Sequence, residues 1–167
     1  MSEFSRTVDL RQLALEPVHL EATPGECAAL AARFGLVAVS RLAADLTLEQ
    51  DRDAVRARGR FAADVVQSCA ISAEDLAVRI AEPLDLRFIA AGSVQLGEEI
   101  ELQADALDEI EFTGTTIDLG EAVAQSLALA IDPFLEGPDA ERVRAELLAD
   151  RASSGPFAAL AGFKKPN

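Results

Sequence analysis

Ile117-Asp118-Leu119-Gly120-Glu121-Ala122-Val123-Ala124-Gln125-Ser126-Leu127-Ala128-Leu129-Ala130-Ile131-Asp132-Pro133 reads as a strongly apolar helix around which the rest of the chain is organised. Asp118 is a good N-cap, Glu121 three residues on completes a capping-box-like pair, and Ile117 can staple the entry. Ala, Leu and Gln propagate a helix, which Pro133 stops at about Ile131. Leu119, Val123, Leu127, Ala130 and Ile131 fall on one stripe at helical spacing, and Leu129 and Ala122 widen it. A helix apolar over so much of its circumference is buried. The segments before it read as strands, so the helix is expected to cover or plug a sheet.

Upstream, the period changes to two from Ala38 onward. Leu42, Ala44, Leu46 and Leu48 share one face, and Ala43, Asp45, Thr47 and Glu49 share the other. After a polar turn at Gln50–Asp53, a longer strand places Val55, Ala57, Gly59, Phe61, Ala63 and Val65 inward. Its outer face begins Arg56, Arg58, Arg60. Together these make an antiparallel hairpin with one wet face. The arginine row suits RNA phosphates, but no aromatic residue interleaves as a stacking platform, and pairing with Asp45, Thr47 and Glu49 explains it as well. Val65-Val66-Gln67-Ser68-Cys69-Ala70-Ile71-Ser72 ends that strand in a turn. The next strand runs from Leu76 to Ile89, with Pro83 marking a bulge or an edge.

Earlier still, Arg6–Leu10 and Val18–Ala22 read as short strands, with His19 a surface residue of the second. Thr23-Pro24-Gly25-Glu26 opens a short helix with a capping box and proline at its first position, and Gly35 closes it. Cys27, Leu30, Ala31 and Phe34 form its apolar stripe, which makes Cys27 a core residue. After Phe88 come a loop at Gly92–Gly97, a strand at Glu98–Gln103, an acidic connection and a last strand at Ile110–Thr113. The expected fold is α+β: an antiparallel sheet or partly open barrel of about six to eight strands, one buried helix and the capped N-terminal helix. Residues 1–135 form the core domain, and 136–155 a linker with a short helix at Ala140–Arg151. Residues 156–167 form a C-terminal docking tail in which Pro156, Phe157, Leu160, Phe163 and Lys164 face a partner.

A chain of 167 residues is normally one domain. Its net charge is −14, and from Phe88 to Glu141 thirteen Asp or Glu occur with no Lys or Arg. Such a balance disfavours bare nucleic acid, DNA included, and attracts basic proteins. No apolar run reaches the roughly 20 residues that cross a bilayer, so no membrane partner is expected. The N-terminus shows no signal-peptide core, so a cytoplasmic location is expected. Cys27 and Cys69 are expected to be free thiols there. Two cysteines and one histidine cannot assemble a four-ligand zinc site, and neither a metal nor any other cofactor is expected. There is no recognisable catalytic dyad or phosphate-binding loop, so the protein reads as a non-enzyme.

Four pieces, in order, resemble the YceD family, the large ribosomal RNA subunit accumulation proteins. They are the Val65-Val66-Gln67-Ser68-Cys69 strand end, the Ile117-Asp118-Leu119 helix opening, the Asp132-Pro133 stop, and Pro156-Phe157-Ala158-Ala159-Leu160 ending in Lys164. The capped helix at Thr23 is similar to the form found in alphaproteobacteria. The resemblance implies a non-enzymatic factor for accumulation of large-subunit (23S) ribosomal RNA. It also implies a motif site at Cys69, Ser72, Asp118 and Asp132. Many members carry Cys-x-x-Cys at the strand end, whereas Cys69-Ala70-Ile71-Ser72 ends in serine, a poor zinc ligand. Together with the acidic balance, this implies a partner that is a basic ribosomal or ribosome-assembly protein, with ribosomal RNA reached indirectly. The alternative is a β-rich carrier of a small ligand or lipid, with the strands closing around an apolar interior.

Overall fold

The computed structural model describes residues 2–12, 17–51, 54–91 and 108–154. Three long strands make its body: β3 (Ala38–Asp51), β4 (Ala54–Ser68) and β5 (Asp75–Ala90). β3 and β4 pair antiparallel from Asp51↔Ala54 to Ala38↔Val66, with a bulge between Val39 and Arg41. β4 and β5 pair along their whole length from Ser68↔Asp75, without a break at Pro83. β2 (Val18–Glu21) adds to the free side of β3, and β6 (Asp108–Phe112) to the free side of β5. A second, two-stranded sheet joins β1 (Thr7–Asp9) to β7 (Thr116–Asp118). The fold is α+β, as expected, with an open five-stranded sheet and no closed barrel.

One strand departs from the antiparallel expectation. β6 runs parallel to β5, Leu86 opposite Asp108 and Ala90 opposite Phe112. A hairpin cannot connect parallel neighbours, and the connection through residues 91–107 exceeds the dozen or so residues that a crossover needs. The expected loop at Gly92–Gly97 and strand at Glu98–Gln103 lie outside the described residues.

The period-two reading places the core. Leu42, Leu46, Leu48, Ala57, Phe61, Val65, Leu86 and Phe88 are all buried on one face of the sheet. Two helices cover that face. In α1 (Pro24–Phe34) the Thr23 capping box is complete, Gly35 is left-handed at φ 66°, and Cys27, Leu30 and Ala31 point inward. Burial raises the Cys27 thiol above its ordinary range, which fits a core residue. In α2 (Leu119–Ala130) Leu119, Val123 and Leu127 are completely buried, and Ala122 is buried beside them. Leu129 does not widen the stripe: it is 82% exposed. Two residues on from fully buried Leu127, its position has turned about 200° around the axis, to the opposite side of the helix.

The N-terminal arm is a further part of the core. Phe4 is fully buried, and Leu119 donates its N–H to the Arg6 carbonyl at 3.0 Å. Asp118 caps α2 by accepting from the Glu121 N–H at 3.1 Å. The return half of the expected capping box is absent, because the Glu121 carboxylate turns to Arg33 at 2.7 Å and Ser2 at 2.6 Å. α3 (Ala140–Ser154) follows, with Ala140 buried and Leu147 and Leu148 exposed. No helix among the described residues is long and apolar enough to cross a membrane.

Candidate functional site at the end of the central helix

β4 leaves the sheet at Ser68 and folds into a tight turn. The Cys69 N–H donates to the Glu74 carbonyl at 2.8 Å, and the Ala73 N–H returns to the Cys69 carbonyl at 3.1 Å. Ala73 takes the left-handed conformation, φ 58°. The turn rolls the thiol inward, leaving Cys69 4% exposed. The Ile71 and Ser72 N–H groups lie 3.4 and 3.3 Å from its sulfur, and the Gly137 N–H reaches it at 3.3 Å from beyond α2.

Three N–H dipoles aimed at one sulfur favour the thiolate. They lower the Cys69 thiol to about 7, the Gly137 N–H contributing most and Ser72 next. The Ser72 hydroxyl is buried with no nitrogen or oxygen partner among the described residues, and beside the sulfur it acts in the same sense. These groups stabilise an anion but transfer no proton.

The same strand end is tied to the helix stop. Gln67 is buried and donates Nε2–H to the Asp132 carbonyl at 2.7 Å. Ala70 donates its N–H to the Leu135 carbonyl at 2.9 Å, and Asp132 Oδ1 accepts the Phe134 N–H at 2.9 Å. Val65–Cys69 and Asp132–Pro133 therefore form one clasp, although 65 residues separate Gln67 from Asp132. Gln67 and Gly137 are the members that the site reading missed. Alternation from Val65 puts Gln67 on the buried face, and a polar residue there demands a partner. For Gly137, only the Gly-Pro pair hinted at a close approach.

Of the four motif residues, Cys69, Ser72 and Asp132 share this clasp and Asp118 does not. It lies at the other end of α2, about 18 Å away at 1.5 Å per residue. There it accepts the Arg6 N–H at 2.8 Å and the Ser5 hydroxyl at 2.5 Å, holding the N-terminal arm. The clasp does not suit a metal. The Cys69 sulfur is occupied by N–H donors, Ser72 offers only a neutral hydroxyl, and among the described residues no three Cys, His, Asp or Glu side chains gather as a ligand set.

The arginine row lies on the outer face of the sheet, with Arg56, Arg58 and Arg60 opposite Glu49, Thr47 and Asp45. Its ion pairs run mainly to the other neighbouring strand. Arg56 forms a two-pronged bond with Asp85 at 2.6 and 2.5 Å, holding that carboxyl below its ordinary range. Arg58 shares Asp85 at 3.5 Å and Glu49 at 3.8 Å. Asp45 instead holds His19 at 2.6 Å, and Arg60 makes no ion pair among the described residues. The row is thus largely engaged by carboxylates. Pro156, Phe157, Leu160, Phe163 and Lys164 lie outside the described residues. Searches of protein-family models, curated proteins and solved structures find no match to this chain.

Proposed function

We propose that this protein is a non-enzymatic, cytoplasmic factor of the YceD type. In this reading it supports accumulation of large-subunit ribosomal RNA and ribosome assembly by binding a basic ribosomal or assembly protein. The observation that supports it is the clasp: two of the sequence pieces behind the resemblance, distant in the chain, meet through Gln67, Asp132, Cys69 and Gly137. Motifs retained by chance have no reason to touch. The acidic balance, −14 overall, favours a basic protein over RNA as the direct partner.

The test is genetic. Deleting the gene should lower large-subunit relative to small-subunit ribosomal RNA, and the full chain should restore the ratio. An unchanged ratio refutes the reading. A chain ending at 155 that fails to restore the ratio, yet keeps its melting temperature, assigns residues 156–167 to docking. Capture of basic ribosomal proteins from lysate should survive ribonuclease. Capture that ribonuclease abolishes moves the contact to RNA.

A further inference from the structure

β6 covers only the end of the β5 edge, from Leu86 to Ala90. The Ala91 N–H donates to Phe112 at 2.8 Å, away from β4. Backbone groups alternate sides along a strand, so the N–H and C=O groups of Ala77, Arg79, Ala81 and Asp85 point the same way. No hydrogen bond engages those of Ala77, Arg79 and Ala81 among the described residues, whereas the Asp85 carbonyl faces the Asp108 N–H where β6 begins; Ala77, Arg79, Ala81 and Pro83 are exposed. Pro83 falls in the one alternation where it breaks no bond to β4, which resolves its expected role as an edge marker. The lane left free among the described residues, from Ala77 to Pro83, is seven residues, about 23 Å long at about 3.3 Å per residue.

Beside this edge runs a groove. Leu84, Leu86 and Phe61 form its floor, and Ser126, Leu129 and Ala130 of α2 form its far wall, enclosing about 140 Å³. The groove is half-open, with Glu82 and Ser126 among its apolar lining. Leu129 is 82% exposed on its rim. Glu82 lines the groove without an ion pair among the described residues, and α2 carries no Lys or Arg; Arg79, the cation of the lane, lies 3.9 Å from Asp64.

We infer that the β5 edge and α2 form a strand-addition groove for an extended, basic segment of a partner protein, with alternate apolar side chains seated against Leu84 and Leu129. An unpaired edge supplies main-chain bonds to any extended peptide, and the flanking groove selects alternate side chains. A basic strand is chosen because Glu82 is the lining charge left without an ion pair among the described residues, and the chain as a whole is strongly acidic. The groove needs no ribosomal role, so it stands or fails separately from the function proposed above.

The probe is a dye-labelled peptide of alternating valine and lysine, titrated with the full chain at physiological salt by fluorescence anisotropy. Saturable binding is expected, weakened about tenfold or more by Ala81→Pro, which removes one outward donor, and by Leu129→Lys, which repels the ligand at the rim. Both variants should keep the wild-type melting temperature; should Ala81→Pro fail to fold, Leu129→Lys decides alone. The fully N-methylated peptide should not bind. No binding at about 1 mM overturns the inference, as does wild-type affinity in the folded variants or for the methylated peptide. A dimer by sedimentation that dissociates in Leu129→Lys also overturns it, making the occupant a second copy.

Discussion

At its N-terminus α2 begins in a knot of charge. Asp118 caps it and grips Ser5 and Arg6, Glu121 binds Arg33 and Ser2, and Arg6 reaches on to Glu26 of α1. At its C-terminus the helix runs into Asp132 and Pro133 and is held by main-chain groups, a buried amide and a thiol. The first end bonds ion to ion over a buried phenylalanine. The second folds backbone around one polarisable sulfur, beside the exposed Leu129 and Phe134. The contrast separates two kinds of anchoring: one end fixes the helix to the N-terminal arm and α1 through charge, the other ties it to the end of β4 beside exposed surface.

Leu127→Asp should remove the comparison altogether. It places a charge at a completely buried position on the face that joins the two ends. Several kcal/mol are lost, comparable to the whole stability of a domain. Circular dichroism should show no cooperative melting. A folded, cooperative variant would mean that α2 presents a different face to the sheet.

Two glycine-to-alanine changes compare the ends directly. A Cβ on Gly120 would meet the Phe4 carbonyl oxygen at 2.5 Å and the Arg6 nitrogen at 2.9 Å, both backbone, so the arm must move. Overpacking of this kind costs about 3 kcal/mol, a fall in Tm of roughly 6–12 °C at this size. On Gly137 it would meet the Glu74 carboxylate at 1.9 Å and a Leu76 methyl at 2.8 Å, both side chains that can swing aside. Gly137→Ala should cost under about 1 kcal/mol. Equal losses would erase the distinction between a rigid end and a yielding one.

That difference also divides what was legible in the sequence. Capping residues, proline and glycine punctuation and the alternation through Leu42–Leu48 and Val55–Val65 act locally, so α1, the hairpin and the core face of α2 could be read. Phe4 could not: its burial depends on a three-dimensional slot opposite Gly120. Nor could the parallel placement of β6, which depends on where a long crossover returns. Leu129 was misread because a run of apolar residues hides the rotation that carries one of them out of the core. The clasp was half legible. Cys69 and Asp132 stood out singly; the Gln67 amide that reaches Asp132 could be placed by alternation, but the N–H groups on the Cys69 sulfur belong to Gly137 and the turn, and main-chain donors leave no residue type to read.

Acid should loosen the N-terminal end first. Arg33 holds the Glu121 carboxyl, and Arg6 the Glu26 carboxyl, down at about 2. Their folded values lie below the ordinary value of 4.5, so this stabilisation is complete above pH 4.5. It is lost as pH falls from there toward about 2, because the unfolded chain takes up the protons first. Urea midpoints should decline across that window, and Glu121→Gln should decline less. An identical profile for the variant would remove Glu121 from the account.

The thiol end should respond in the opposite part of the pH scale, with the smallest effect. Cys69 has a folded value of about 7 against 9.0 for a free thiol, because N–H groups of Gly137, Ser72 and Ile71 favour the thiolate. A depressed acid stabilises the fold where it is ionised. The contribution is therefore complete above pH 9, shrinks as pH falls toward 7 and is absent below that. Wild type should gain Tm over Cys69→Ser as pH rises from 7 to 9, while the two run parallel between pH 5 and 6. Alkylation of the folded protein, followed by mass spectrometry of each cysteine peptide, gives an independent reading. Cys69 should react with a midpoint near pH 7, slowly because little of it is exposed, while Cys27, raised by burial, stays unmodified. A Cys69 midpoint near 9 would mean that the three N–H groups are not directed at the sulfur in solution. The clasp would then rest on the Gln67 and Ala70 hydrogen bonds alone.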